Sequence, residues 1–396
     1  MKSKILCFVL AFLVSLIFCR QTACAEPKNE NEYKSDAYVL MEASTGTVIT
    51  SKNAEKQLRP ASITKIMTLL IVFEEIDSGR LSYEDKVIVS EHAASMGGSQ
   101  VYLEQNEVMS VNELIKCISI ASANDASVAI AEHIAGSEEQ FVRRMNQKAA
   151  DIGMKHTRFV NCYGLDTDGH YTTALDVAIM SKELITMHPD IFRYSTVWMD
   201  SIVHVTKKGS SEFGLSNTNK LLKSFQGITG LKTGSTGLAK YCLSATARRD
   251  NMDLIAVVMA APDTKTRFQE AAGLLNYGFS ACKIYRHSIE DELIPDLLLR
   301  NGVESQIKLQ TEQEFVYLCL EGEDINEITY EIITDEACEA PVNVNQVFGK
   351  VIYSYHDKEL GTVSLIPVKA YEKAGFFDVM VKTIFRFLLR NTNNSM

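Results

Sequence analysis

The chain is predicted to be an α/β protein, one antiparallel sheet covered by helices, followed by a small all-β domain and a terminal amphipathic helix. Three observations predict this. Strand-like alternation stands on both sides of a long helical stretch. From about Ile284 the texture changes to short alternating stretches separated by polar turns. The last segment carries cations on one helical face and aromatic and aliphatic residues on the other.

Asp36 to Ile49 alternates apolar and polar residues around a Ser44-Thr45-Gly46 turn, the pattern of a hairpin. Ser62 is expected to open a strongly apolar helix, Ile63 to Ile76, stopped by Ser78-Gly79. Ser110 and Glu113 have capping-box spacing for a helix from Val111, and further helices are expected over 124–135, 138–152 and 174–187. Leu231 to Lys232, Tyr241 to Arg248 and Met252 to Ala260 read as strands, the last two joined by an Arg249-Asp250-Asn251 turn, and a helix from Thr264 to Phe279 closes the unit. Beyond Ile284, strands are expected over 306–309, 315–320, 328–333, 350–355 and 362–366.

Both ends read as addresses. Lys2 and Lys4 precede the almost unbroken apolar run Ile5 to Phe18, and Ala23-Cys24-Ala25 supplies small residues for cleavage before the polar start at Glu26. The run is short for a membrane span, so a cleaved secretory signal is expected. At the other end Asp378, Lys382, Arg386 and Arg390 recur at i+4, opposite Phe376, Phe377, Met380, Val381, Ile384, Phe387 and Leu388. A basic amphipathic helix of this kind lies in a membrane interface, cations toward anionic headgroups. The expected organisation is a signal over 1–25, a catalytic domain over 26–283, a β-domain over 284–370 and an anchor helix over 371–396. The mature protein is then expected outside the cytoplasm, peripheral to the extracytoplasmic face of the cell membrane.

The 396 residues carry a formal charge of −10, and loss of Lys2, Lys4 and Arg20 with the signal takes this to −13. Such a balance repels polyanions and argues against nucleic acid as a partner. Three of nine cysteines fall in the signal. Cys117, Cys162, Cys242, Cys282, Cys319 and Cys338 show neither zinc-like nor redox-like spacing, and they read as buried thiols, with a Cys319–Cys338 pair left open.

Three short motifs, in order, carry the chemistry. In Ser62-Ile63-Thr64-Lys65, three-residue helical spacing brings hydroxyl and amine onto one face, and the apolar residues that follow desolvate Lys65 and lower its pKa toward that of a useful base. Alone this motif is weak, since Ser-x-x-Lys arises about once or twice by chance in such a length. Ser122-Ala123-Asn124 sits between two helices, where the hydroxyl can relay a proton and the amide can hold a lysine and a substrate carbonyl; either residue alone reads as a helix cap. Lys232-Thr233-Gly234 puts a cation and a hydroxyl on an edge strand, suited to a peptide carboxylate, and Gly234 leaves room for substrate backbone; alone it reads as a surface turn.

Taken together the three motifs resemble those of the low-molecular-mass penicillin-binding proteins, the serine-type D-alanyl-D-alanine carboxypeptidase family. Leu58-Arg59-Pro60-Ala61, Gly153-Met154-Lys155-His156-Thr157, Phe159-Val160-Asn161, Gly164-Leu165-Asp166 and the 227–240 stretch extend the resemblance over essentially the whole chain. It implies the penicilloyl-serine-transferase, β-lactamase-like fold, an enzyme without metal or cofactor, peptidoglycan stem peptides ending in D-Ala-D-Ala as substrates, and β-lactams as acylating ligands. It also implies Ser62 as acylated nucleophile, Lys65 as its base, and Ser122 with Asn124 as proton relay and amide holder. Lys232 and Thr233 become the carboxylate and relay site, the N–H groups of Ser62 and Ser235 the oxyanion hole, and Arg267 a second carboxylate holder. Position 123 is Ala where the family usually has Gly, and Cys162-Tyr163 replaces Pro-His. Two rivals share the acylation machinery. A serine β-lactamase with a Ser-x-Asn motif needs a glutamate in a loop between the second and third motifs, and residues 140–182, where that loop would fall, contain none. A penicillin-sensing module would be expected to carry a transmembrane helix and a signalling domain, which these motifs do not accompany.

Overall fold

A computed structural model describes residues 33–392 apart from Lys208, with side chains through Ile384 in the terminal helix. The expected signal over 1–25 lies outside the described residues. The chain divides into two compact units at Ala281/Cys282.

The first unit is built on a five-stranded antiparallel sheet. Its strands are β1 (Ala37–Glu42), β2 (Val48–Lys52), then, after the short pair β3 (Lys86–Ile88) and β4 (Val108–Ser110) and the hairpin β5 (Met199–Thr206) and β6 (Gly209–Ser216), β7 (Ile228–Thr236), β8 (Lys240–Arg249) and β9 (Met252–Ala261). The order across the sheet is β2-β1-β9-β8-β7, which leaves β7 on an edge. All six residues of β1 are buried, and β9 is buried but for half-covered Asp253. Strands covered on both faces read as continuous apolar runs, as these do. In the tight turn after β1, the buried Glu42 carboxylate accepts hydrogen bonds from Ser44 N and Thr45 N at 3.0 and 2.7 Å.

Helices α1 (Lys65–Asp77), α2 (Val111–Ser119), α3 (Asn124–Ala135), α4 (Glu138–Asp151) and α5 (Ala174–Met187) form one layer, and α6 (Thr264–Ala281) packs on β9 and β8. Val39, Met41, Ile255, Val257 and Met259 share a core with the helical layer. In that core α1 is apolar on nearly every side, the mark of a central buried helix. The capping box at Ser110 and Glu113 is formed. Two features differ from the expectation. Ser62 does not open the α-helix: it lies in a 3₁₀ turn, Ala61–Thr64, and α1 begins at Lys65. The Thr64 hydroxyl donates to Ala61 O at 2.8 Å, closing this tighter turn. The β5–β6 hairpin is not legible in the sequence, because its second strand, Gly-Ser-Ser-Glu-Phe-Gly-Leu-Ser, is poor in strand formers.

The second unit holds the predicted all-β domain. Ile328–Thr334, Gly349–Tyr355, Lys358–Pro367 and Leu309–Thr311 form one sheet, Leu297–Arg300 pairs with Gln306–Ile307 and Ala337–Glu339, and Lys283–His287 pairs with Phe315–Cys319. Leu297, Ile307, Leu309, Val351, Tyr353 and Leu365 form its core, with the Phe315 and Tyr353 rings stacked at 3.8 Å. Cys319 and Cys338 are buried thiols without a disulfide, as are the other four cysteines of the described residues. The terminal helix α7 (Phe376–Thr392) begins where Asp378 Oδ2 accepts from Gly375 N at 2.8 Å, and Lys382 Nζ donates to Gly302 O at 2.8 Å. Phe376 and Phe377 are 79% and 74% exposed. None of the described helices is long and apolar enough to cross a membrane.

Candidate active site

The site begins where the 3₁₀ turn hands over to α1. Ser62 is half-buried, and Lys65, one turn on, has no exposed surface. Lys65 Nζ lies 3.3 Å from Ser62 Oγ, 2.6 Å from Asn124 Oδ1 and 2.7 Å from the Tyr163 carbonyl. Burial lowers its pKa to about 7. A neutral amine has two N–H groups and one lone pair. The two carbonyl acceptors take both N–H groups, which leaves the lone pair for the Ser62 hydroxyl.

Ser122 and Lys232 form the opposite wall. Ser122 is buried in the connection between α2 and α3 with φ +61°, a left-handed conformation uncommon for serine. Lys232 Nζ donates to Ser122 Oγ at 2.8 Å and to Thr233 O at 3.1 Å. Burial, with the charges of Lys65 and Arg267 adding to it, holds the Lys232 ammonium well below its usual pKa. Neither Ser122 nor Asn124 caps a helix: the N-cap of α3 is Ala123, without a side-chain bond. Asn124 is instead fixed by its own N–H on Ser99 O and its Nδ2 on Gly97 O, both at 2.7 Å, so its Oδ1 faces Lys65.

Edge strand β7 supplies the third side. The Thr233 hydroxyl is 2.6 Å from that of Thr218. A Cβ on Gly234 would lie 2.8 Å from Ser62 N and 2.9 Å from Ile63 N, so glycine lets the strand reach the Ser62 backbone. Ser235 follows, exposed and paired with Tyr241. Arg267, on α6, is buried, and its Nη1 donates to Gly234 O at 3.1 Å and Cys242 O at 3.2 Å. Its Nε has no partner, and burial lowers its pKa to about 10. Ser62, Lys65, Ser122, Asn124, Lys232, Thr233, Gly234, Ser235 and Arg267 are thus linked through one network of contacts and adjacent backbone.

Several participants escape a reading of side-chain motifs. Tyr163 acts on Lys65 through its carbonyl, so its replacement of histidine leaves that contact intact. His170 accepts from Val160 N at Nδ1, 2.9 Å, which leaves the proton on Nε2 for the Thr64 hydroxyl, also at 2.9 Å. Thr64 passes the chain on to Ala61 O, next to Ser62. Burial lowers the His170 pKa to about 4 and keeps the ring neutral. Asp166 accepts from Thr236 Oγ1 at 2.9 Å and Leu238 N at 3.3 Å, fastening the end of β7.

The sequence model for D-alanyl-D-alanine carboxypeptidase matches residues 21–263, and that for the penicillin-binding protein 5 C-terminal domain matches 291–373. D-alanyl-D-alanine carboxypeptidase DacF of Bacillus subtilis is 40% identical over 356 residues, 90% of this chain and 90% of its own. DacC of Escherichia coli is 31% identical over 349 residues, covering 86% and 85%. The crystal structure of penicillin-binding protein 5 from Haemophilus influenzae superposes with a TM-score of 0.74 at 29% identity, covering 88% of this chain and 99% of that one. Penicillin-binding protein D2 of Listeria monocytogenes, solved in its ampicillin-bound form, gives 0.56 at 31% identity over 64% and 100%. With the family match spanning most of the first unit and this identity extending across nine-tenths of the sequence, the chain belongs to the D-alanyl-D-alanine carboxypeptidase family.

Proposed function

We propose that this protein is a serine-type D-Ala-D-Ala carboxypeptidase that removes the terminal D-alanine from peptidoglycan stem peptides through an acyl-enzyme on Ser62, and that penicillins acylate the same serine. The observation that carries this reading is the Lys65 amine, desolvated to about 7 and held by two carbonyls beside Ser62 Oγ. Neutral Lys65 takes the Ser62 proton as Oγ bonds to the penultimate D-Ala carbonyl carbon. The oxyanion forms between the N–H groups of Ser62 and Ser235. The proton held on Lys65 reaches the leaving nitrogen through the Ser122 hydroxyl, which Lys232 Nζ bonds, as the C–N bond breaks and D-alanine departs. Neutral Lys65 then takes a proton from the attacking water and returns it to Ser62 Oγ as the ester C–O bond breaks. Lys232, Thr233 and Arg267 receive the terminal carboxylate, and one Asn124 amide N–H is offered to the substrate carbonyl.

A β-lactamase reading requires a carboxylate aimed at the ester. Asp125, the acid beside Asn124, is engaged by the N–H groups of Val101, Leu103 and Ala126, and Glu138 by Cys162 N and His92. The carboxypeptidase reading is further supported by the names of the relatives. The protein acts at the cell wall, exported by residues 1–25 and held on the extracytoplasmic membrane face through residues 371–396; the exposed Phe376 and Phe377 support that attachment. Incubation with a muropeptide ending in D-Ala-D-Ala, followed by mass spectrometry, is expected to show loss of one alanine. An intact peptide beside hydrolysed penicillin would mean the β-lactamase reading instead.

A further inference from the structure

Beside the catalytic cleft, a cavity of about 340 Å³ lies between the loop after Gly98 and the β5–β6 hairpin, with Tyr102, Glu104, His204, Thr206, Ser211 and Phe213 around it. His204, only 8% exposed, is the most buried of these. Its Nδ1 lies 2.8 Å from the Glu107 carboxylate, whose side chain has no exposed surface. A carboxylate only accepts, so Nδ1 carries a proton toward Glu107, and the other ring nitrogen, Nε2, is turned outward. That Nε2 is buried without a partner. A buried polar atom left unpaired is costly, and such atoms mark a missing ligand or water.

The rest of the wall has a matching character. Tyr102 is 65% exposed, and its ring meets the edge of Phe213 at 6.0 Å, with Phe213 in turn 5.6 Å from His204. The tyrosine backbone sits at φ +64°, uncommon for a bulky residue. It is pinned there because Val101 N and Leu103 N, on either side, both donate to Asp125 at 3.1 Å. An aromatic face is thereby held toward solvent beside the Ser211 hydroxyl and an unpartnered imidazole nitrogen. Pyranose rings match this set: their C–H face lies on an aromatic ring, and each hydroxyl both donates and accepts, so it pairs with a hydroxyl or with a ring nitrogen in either state. An apolar ligand would leave His204 Nε2 unpaired. Both walls run into the site already described. The loop carries Gly97 O and Ser99 O, which hold Asn124, and β6 leads into Thr218, which meets Thr233.

We propose that this cavity is a saccharide subsite, taking a sugar ring of the glycan that bears the stem peptide. The inference rests on the carboxypeptidase reading for the source of the sugar, and on the cavity alone for its binding. The test compares two substrates on the mature protein, a D-Ala-D-Ala pentapeptide with and without its N-acetylated disaccharide, together with calorimetric titration of the disaccharide alone. Tyr102→Asn removes the ring while suiting the left-handed backbone; His204→Phe keeps the ring shape and removes its nitrogens. Both are expected to raise KM for the glycosylated substrate about fivefold, with KM for the bare peptide and penicillin acylation of Ser62 unchanged. His204→Phe strands Glu107, so Tyr102→Asn decides should that variant fail to fold. Equal changes for both substrates, no change in either, or calorimetric binding of a simple diamine in place of the disaccharide would overturn the subsite. If the parent cleaves neither substrate yet binds the disaccharide through Tyr102, the carboxypeptidase reading falls and the subsite stands.

Discussion

Desolvation penalises an ammonium far more than an amine, and Lys65 meets that penalty with two carbonyls that accept from either form. Acylation by a penicillin is therefore expected to rise with pH through about 7 and level off above, because only the neutral amine takes the Ser62 proton. Ser62→Ala is expected to abolish covalent labelling, and Lys65→Ala to slow it by orders of magnitude; a profile flat between pH 6 and 8 would mean another base. His170 is a positioning residue, acting through Thr64 and Ala61. Its folded pKa, near 4, lies below its ordinary 6.5. The stability it contributes is complete above 6.5 and is lost as pH falls toward 4, on the order of 3 kcal/mol. Denaturation of the parent and of His170→Gln across that range checks this, the variant being expected to lose the dependence. The variant should also lower kcat for acylation with KM little changed. At this scale the sequence reveals what side chains carry. Ser62, Lys65, Ser122 and Lys232 are legible as motifs, whereas the Tyr163 carbonyl is a backbone group that any residue supplies, and His170 and Thr218 meet their partners only through the fold.

At the scale of elements, the site depends on how closely β7 approaches the turn before α1. Gly234→Ala would bring a methyl within 2.8 Å of Ser62 N, forcing strand and turn apart. Labelling is expected to slow more than tenfold, the cost of a misplaced oxyanion donor, while thermal unfolding shifts far less; an unaffected rate would show that the oxyanion donors lie elsewhere. Arg267→Ala is expected to impair D-Ala release more than penicillin acylation while Lys232 remains, and equal losses would remove Arg267 from carboxylate binding. The helices and central strands were legible because their patterns are long and their caps local, as at Ser110 and Glu113. The 3₁₀ turn at Ser62 was not, since the apolar run continues through it and a single Thr64 hydroxyl decides the geometry. The hairpin β5–β6 is hidden from the sequence because long-range packing, with Phe213 against His204 and Tyr102, outweighs the weak strand propensity of its Ser- and Gly-rich half.

For the whole molecule, the division of labour is between a first unit that contains every residue from Ser62 to Arg267 and a second that ends in α7. The membrane attachment proposed for α7 has an apolar part and an electrostatic part. Phe376, Phe377 and Ile384 are exposed and available for insertion. Among the cations, Lys382 already donates to Gly302 O, while the Arg386 and Arg390 side chains lie outside those described. Exchanging both arginines for glutamine is therefore expected to weaken binding to anionic vesicles more than Lys382→Gln does, with binding to neutral vesicles little changed by either. Deleting everything after Ala374 should abolish co-sedimentation with vesicles and leave hydrolysis of a small D-Ala-D-Ala peptide near the parent rate, because the catalytic network closes within the first unit. The truncated and full-length mature proteins are compared in both assays on the same preparation. Vesicle binding that survives truncation would place the attachment elsewhere. Activity lost with the helix would mean that α7 is an integral part of the folded enzyme, its exposed phenylalanines notwithstanding.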